Sequence, residues 1–179
     1  MRYVALLRGI NVGGHKLMKM DAVRACFEDA GFRDVRTLLA SGNVLFESRR
    51  AQARLAEKIE RNLKSALGVQ VGVVLRSIEQ LKVLLRKKPF RTVRVTPDVR
   101  LFVTFLARPI GRRLAFDDEL GIEVIAQSPN ELCTVFTLTP KWGRTLLALD
   151  KACGRTATTR SWSTVERIVK HDQSTNVSH

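Results

Sequence analysis

The spacing of apolar residues divides residues 1–75 into alternating strands and helices. Short apolar runs predict four strands, at residues 2–8, 35–40, 44–46 and 69–75. Apolar residues three and four positions apart predict one helix over residues 19–30 and a second one capped by Ser48. Gly31 and Gly68 follow these helices and are expected to end them. The order β-α-β-β-α-β predicts an α+β fold with a ferredoxin-like antiparallel sheet and two helices on one face.

Residues 76–170 contain the ingredients of a second α+β half. Ser77 and Gln80 have the spacing of a capping box and open a predicted helix over residues 77–88. Three strands are predicted at residues 99–106, 122–126 and 132–138, and helices at residues 145–152 and 161–170. We therefore predict a ferredoxin-like subdomain over residues 1–75, a three-stranded α+β subdomain packed on it over 76–170, and a disordered polar tail over 171–179. The pattern leaves open whether the two halves share one sheet.

Composition narrows the class of protein further. No apolar segment reaches the length of about 18 residues that a membrane-spanning helix needs, and the N-terminus lacks the pattern of a secretory signal. Cys26, Cys133 and Cys153 are far apart in the chain, which favours reduced thiols in a cytoplasmic protein. We expect no metal site, no cofactor and no membrane partner. The acidic residues 117–119 are typical of a solvated loop.

Positive charge is concentrated in the middle of the chain. The formal net charge is +14, and residues 76–113 alone carry 11 basic and two acidic groups. Such a surplus favours association with polyanions and indicates a nucleic-acid or other anionic partner. The alternative is an ordinary solvated face, since only Phe90 among aromatic residues interleaves with the cations.

A glycine-containing loop follows the first strand and is a candidate anion site. It comprises Arg8 and Gly9, then Asn11, then Gly13 and Gly14. Backbone N–H groups of such turns can point at a ligand, and a guanidinium at the end of an apolar strand needs a partner or a ligand. The spacing matches neither a P-loop nor a dinucleotide motif. A structural loop whose glycines adopt positive φ is the alternative.

Two further polar segments are candidates for the same site. Ser41 and Asn43 flank Gly42 in a predicted hairpin turn, where a structural role is the alternative. Thr158, Thr159, Arg160 and Trp162 are interpreted as opening a helix, where hydroxyl groups and a cation at the positive end of the dipole form an anion cradle. The alternative there is that Thr159 or Ser161 caps the helix and that Trp162 packs.

Two of these motifs resemble one family. The run Tyr3–Gly14, followed by Met20, Gly31-Phe32, Val35-Arg36-Thr37 and Ser41-Gly42-Asn43-Val44, closely resembles the bacterial family called domain of unknown function 1697. The later Thr158-Thr159-Arg160-x-Trp162-x-Thr164-Val165 resembles the closing motif of that family, although Ser161 and Ser163 stand where asparagine is expected. The resemblance implies a single cytoplasmic α+β unit with ferredoxin-like character, and it implies no activity.

These observations favour a protein that binds a phosphate-bearing or other anionic ligand, either a nucleotide or a nucleic acid. This hypothesis requires Arg8, Asn11, Ser41, Asn43 and Arg160 to converge on one cleft. The alternatives are an enzyme acting on a small anionic substrate, with Arg8 and Arg160 as electrostatic clamps, and a structural or protein-interaction unit. The sequence identifies no catalytic residue and leaves the oligomeric state open.

Overall fold

The computed structural model describes residues 1–10, 18–49, 52–140, 142–154 and 156–174, without the side chains of residues 53 and 142. Its architecture is mixed α+β, with two antiparallel four-stranded sheets and five helices in the described residues. The strands are β1 (Arg2–Leu7), β2 (Arg33–Leu38), β3 (Asn43–Glu47), β4 (Val73–Ser77), β5 (Val99–Phe105), β6 (Ile122–Gln127), β7 (Glu131–Thr137) and β8 (Thr158–Ser161). The helices are α1 (Met20–Asp29), α2 (Leu55–Leu67), α3 (Ile78–Arg86), α4 (Trp142–Cys153) and α5 (Trp162–Gln173). No helix of the described residues is long and apolar enough to cross a membrane.

The chain divides into two compact units. Unit 1 comprises Met1–Lys82 together with Arg167–His179, and unit 2 comprises Val83–Glu166. Each unit contains one of the two sheets. The boundaries placed after residues 75 and 170 from the sequence stay a prediction.

The sheet of unit 1 has the strand order β2-β3-β1-β4, and all of its pairings are antiparallel. Alternate residues of these strands face α1 and α2 and form one apolar core with them. Phe46 lies at the centre of this core, with its ring centroid 4.7 Å from that of Phe32 and 5.4 Å from that of Phe27. Phe46 has no exposed surface, so these ring contacts are fully desolvated.

The outer edge of β4 is occupied by side chains of unit 1. Glu60 on α2 accepts a hydrogen bond from Val73 N at 2.8 Å. Gln52, in a short 3-10 helix over Gln52–Arg54, donates from Nε2 to Leu75 O at 2.9 Å. An edge strand normally leaves such groups unpaired, and here side chains from the preceding helical segment satisfy two of them.

The sheet of unit 2 has the order β6-β7-β5-β8 and is also antiparallel. The prediction of three strands for this half was wrong, because β8 pairs with β5 and adds a fourth. Its hydroxyl residues and Arg160 resemble the start of a helix, and only pairing with a strand far away in the chain makes them extended. A separate apolar core includes Leu132 and Phe136 of β7 and Leu149 of α4.

Local signals at helix ends were correct at the start of α3 and at the end of α2 and wrong at the start of α2. Ser77 and Gln80 form the predicted capping box, since Ser77 N donates to Gln80 Oε1 at 2.8 Å and Gln80 N donates to Ser77 Oγ at 3.2 Å. Gly68 ends α2 in the left-handed conformation, as predicted. Ser48 does not cap α2, because the 3-10 helix intervenes and the regular helix begins only at Leu55.

The last helix continues beyond its predicted end at residue 170. α5 ends at Gln173, and its residue Asp172 is buried in an ion pair with Arg2 of β1. The first part of the predicted disordered tail is therefore helical, because a tertiary contact retains a segment that its polar composition marks as irregular. Residues 175–179 of that tail lie outside the described residues.

Candidate functional site

The loop after β1 is held at its base by two backbone hydrogen bonds. Leu7 N donates to Gly42 O and Arg8 N donates to Gly72 O, both at 2.8 Å. Gly9 has φ +65°, and a Cβ built there would meet no atom within 4 Å, so conformation alone favours glycine. The Arg8 side chain is half-buried beside Gly72. Asn11, Gly13 and Gly14 lie outside the described residues, and their part in a ligand site stays a prediction.

The structure brings this loop against the turn that contains Ser41 and Asn43. Gly42 has φ +78°, and a Cβ there would lie 2.5 Å from Ile10 Cδ1 and 2.9 Å from Leu7 Cβ. Only a hydrogen atom fits between the turn and the buried Ile10. Two of the three predicted site segments are therefore neighbours in unit 1.

The Asn43 side chain stabilises the turn between β2 and β3. Its side chain has no exposed surface, and its Nδ2 donates to Leu38 O at 2.9 Å and to Ser41 Oγ at 3.1 Å. These contacts close the connection between β2 and β3, which is the structural role that the turn composition suggested. Asn43 is the first residue of β3, and the positive φ values of the turn belong to Leu39 and Gly42. A direct ligand contact by Asn43 stays a prediction.

Arg160 lies in strand β8 rather than at the positive end of a helix, which corrects the placement expected from the sequence. Its side chain is 8% exposed, and burial lowers its pKa to about 10. Its Nη1 donates to Thr158 Oγ1 and to Thr159 O, both at 2.9 Å. The Thr159 hydroxyl shares a 2.8 Å hydrogen bond with that of Thr104 on β5. The polar groups of this segment thus bond to the strand and to its neighbour.

The start of α5 agrees with the alternative interpretation of this segment, a capped helix with a packed tryptophan. Ser161 Oγ accepts a hydrogen bond from Thr164 N at 3.2 Å, so Ser161 is the helix cap. Trp162 packs edge-on against Phe90 in unit 2, with 5.1 Å between ring centroids. Segment 158–162 contributes to the other unit, and its convergence with Arg8 and the Ser41–Asn43 turn stays a prediction.

Contact with Trp162 anchors the most basic stretch of unit 2, residues 86–113, which we call the basic segment. Phe90 is 8% exposed, and hydrogen bonds from Arg91 N to Lys88 O and from Val93 N to Phe90 O order the backbone around it. Nine cations in this segment are exposed, against one carboxylate, that of Asp98. They are Arg86, Lys87, Lys88, Arg91, Arg94, Arg100, Arg108, Arg112 and Arg113. Within the described part of the chain, no carboxylate forms an ion pair with any of them.

Two neighbouring cavities of unit 1 were not predicted from the sequence. The first, of about 470 Å³, is lined by Phe32, Glu47 and three cations, Arg33, Arg49 and Lys58. The second, of about 400 Å³, shares Ala30 and Lys58 with it and is otherwise lined by side chains of α1 and α2. The lining residues come from separate elements, and each resembles an ordinary surface residue in its own segment. No short motif could have revealed them.

The described titratable groups offer neither a metal centre nor a reactive thiol. No group of three or more His, Cys, Asp or Glu residues in the described ranges could hold a metal ion. Burial raises the pKa of Cys133 to about 12 and that of Cys153 to about 11. Thiols with such pKa values are almost entirely protonated near pH 7 and behave as small apolar residues.

Comparison with known proteins identifies the family. A family model described as "Protein of unknown function (DUF1697)" matches residues 1–119. The chain belongs to this family. The matched part includes the Arg8 loop, the Ser41–Asn43 turn and the basic segment, whereas the Thr158–Val165 motif lies beyond it.

A solved structure has a similar fold. The conserved bacterial protein SP0830 from Streptococcus pneumoniae matches with a TM-score of 0.71 at 21% identity, over 94% of this chain and 97% of that one. At this identity the likeness concerns the fold alone, and it supports the mixed α+β architecture. No curated protein matches this chain.

Proposed function

We propose that this protein binds phosphate-bearing anions, and that a single-stranded or double-stranded nucleic acid is bound through the basic segment. The observation that carries the proposal is the set of nine exposed cations, none of which is paired with a carboxylate in the described residues. Exposed cations that are not neutralised internally attract phosphates and release the counterions condensed on them.

Order in the basic segment supports the proposal. The buried Phe90 ring against Trp162 and the backbone hydrogen bonds around Lys88 fix the chain from which the cations project. A fixed backbone reduces the conformational entropy that is lost on binding. The Phe90 ring is buried and therefore contributes little to base stacking. We expect the basic segment to contact the phosphate backbone without sequence preference.

The loop and turn residues of unit 1 remain proposed contacts for a phosphate group. Arg8 and Gly9 support this role, because Gly9 is exposed and Arg8 is half-exposed at the end of an apolar strand. We also propose that unit 1 is ferredoxin-like, on the basis of its strand order and of its two helices on one core. A cytoplasmic location and the alternatives of an enzyme or an interaction unit stay predictions.

Fluorescence anisotropy with labelled single-stranded and double-stranded oligonucleotides tests the nucleic-acid proposal. We expect affinity to fall steeply with salt. Changing Arg86, Lys87 and Lys88 together to Gln should reduce the slope of log K against log salt by about 2 units. The control variant replaces three exposed cations with Gln, namely Arg54 at the start of α2 and Arg61 and Lys64 within it. Both triple variants change the net charge by the same amount.

Comparison of the two triple variants distinguishes binding at the basic segment from attraction by net charge alone. If both variants lose affinity equally, net charge alone drives association and the basic segment is not the site. If the wild-type protein shows no salt-dependent binding to either oligonucleotide, the proposal is overturned.

A further inference from the structure

The first cavity of unit 1 has the size and the charge of a small-anion site. Its volume of about 470 Å³ lies within the range of roughly 300–1,000 Å³ that is usual for small-molecule sites. It opens where α1 ends and β2 begins, beside the end of β3 and a turn of α2. Three of its side chains are cationic, those of Arg33, Arg49 and Lys58, and one is anionic, that of Glu47.

The negative charge of Glu47 is already partly balanced. Its carboxylate lies 3.3 Å from Arg2 Nη1 and 3.8 Å from Arg33 Nη2. Arg49, by contrast, is exposed and has no carboxylate within ion-pair distance in the described part of unit 1. The cavity therefore retains a positive surplus that an anion would neutralise.

Lys58 is fixed in place before any ligand arrives. Its Nζ donates to Ala30 O at 2.7 Å and lies 5.0 Å from the centroid of the Phe32 ring. An ammonium group carries three donors, so one bond to Ala30 leaves others for an anion. An immobilised cation loses less side-chain entropy on binding than a mobile surface lysine does.

The second cavity adjoins the first, because Ala30 and Lys58 line both. Its lining includes Asn62, Ser65 and Asp29, which carry a carboxamide, a hydroxyl and a carboxylate. These groups suit hydroxyl groups of a ligand, and Asp29 disfavours a second anion there. The two cavities together thus have one end for an anionic group and one end for a polyol.

We infer that unit 1 binds a small phosphomonoester that carries hydroxyl groups, with its phosphate at Arg33, Arg49 and Lys58 and its hydroxyl groups toward Asn62 and Ser65. A guanidinium fork matches phosphate geometry, and three cations around one partly neutralised carboxylate suit a dianion better than a monoanion. None of these residues belongs to the basic segment, so the inference does not depend on the nucleic-acid proposal.

Isothermal titration calorimetry with ribose 5-phosphate, ribose and inorganic phosphate tests the inference. We expect ribose 5-phosphate to bind more tightly than inorganic phosphate and ribose not to bind. Arg49→Gln should weaken ribose 5-phosphate binding about tenfold. Arg54→Gln is the matched control, because Arg54 is exposed and lines neither cavity, and it should leave binding unchanged.

A second pair of variants tests the polyol end. Asn62→Ala and Ser65→Ala should weaken ribose 5-phosphate without affecting inorganic phosphate. Saturable binding that Arg49→Gln leaves intact, or no binding at ligand concentrations up to about 10 mM, would overturn the inference. The Arg86, Lys87 and Lys88 triple variant should bind ribose 5-phosphate normally, so failure of the nucleic-acid proposal is separately visible.

Discussion

Arg2 and Asp172 form an ion pair within unit 1 although they lie near opposite ends of the sequence. Arg2 Nε donates to a carboxylate oxygen of Asp172, whose side chain is 2% exposed, and Arg2 Nη1 donates to Asp34. Burial alone would lower the pKa of Arg2, but the hydrogen bonds and charges of Asp34 and Asp172 raise it well above its usual value. Arg2 therefore joins the first strand, the second strand and the last helix through one permanently charged group.

Replacing Asp172 with Ala should destabilise the protein by about 1–3 kcal/mol. The change removes the buried acceptor of the Arg2 Nε hydrogen bond, while Asp34 and Glu47 remain beside Nη1. Urea denaturation measures the effect. Glu166→Ala on the same helix is the control, since Glu166 is exposed and should change the free energy of unfolding by less than about 0.5 kcal/mol. Equal effects of the two changes would show that the ion pair contributes nothing.

Asp34 should give the folded state a defined sensitivity to acid. Burial acts to raise its pKa, but hydrogen bonds from Arg2 and Arg36 and their positive charges lower it below the ordinary value. A carboxyl whose pKa is depressed on folding contributes stability above its unfolded pKa of about 3.9 and loses this contribution as pH falls through the folded pKa. The Tm should therefore decline on acidification below about pH 4 less steeply in Asp34→Asn than in the wild type. Asparagine suits the test because it tolerates the positive φ of Asp34. Parallel acid profiles would contradict the assignment.

Gly42→Ala should cost more than the same change at Gly68. Both residues have positive φ, so both substitutions incur the cost of that conformation, about 1 kcal/mol. At Gly42 the new methyl would also lie 2.5 Å from Ile10 Cδ1, whereas at Gly68 it meets no atom within 4 Å. Overpacking should add about 1–3 kcal/mol at Gly42, measured by thermal or urea unfolding. A Gly42→Ala variant as stable as Gly68→Ala would mean that the Arg8 loop and the turn do not pack as described.

Thr134→Val should stabilise unit 2, and Thr104→Val should destabilise it. Both threonines are buried in adjacent strands of the same sheet. Thr134 Oγ1 has no hydrogen-bond partner in the described part of the chain, whereas Thr104 Oγ1 lies 2.8 Å from Thr159 Oγ1. Removing an unsatisfied buried hydroxyl should raise stability by about 1 kcal/mol, and removing a bonded one should lower it by a similar amount. Differential scanning calorimetry measures both, and a loss of stability in Thr134→Val would reveal a partner for its hydroxyl.

The sequence was informative about the start of α3 and the end of α2, where the signal is local and nothing overrides it. Ser77 and Gln80 specify their helix start through contacts three residues apart, and Gly68 specifies a helix end by itself. The sequence was misleading where a distant partner decides the conformation. Segment 158–161 forms a strand because it pairs with β5. The last helix extends to include Asp172, which forms an ion pair with Arg2. Only the folded chain shows such partners.

For the candidate sites, too, local features could be predicted from the sequence, whereas contacts between distant segments could not. Asn43 was recognised as a turn residue from composition, and its two hydrogen bonds are local. The charge of the basic segment could be counted in the sequence, but the contact between its Phe90 and Trp162 could not be predicted from it. Arg33, Arg49 and Lys58 line one cavity only because the start of β2, the end of β3 and a turn of α2 lie near each other, and no spacing in the sequence records that.

The side chains of Gln52 and Glu60 have a consequence for how copies of this chain behave at high concentration. A bare sheet margin offers a template onto which another polypeptide can add a strand, and repetition of that step leads to fibrils. Along β4, Val73 N and Leu75 O are already engaged, Leu75 O by two donors, so an incoming strand would first have to displace three internal bonds. The helical segment before β4 thus guards this margin against self-assembly.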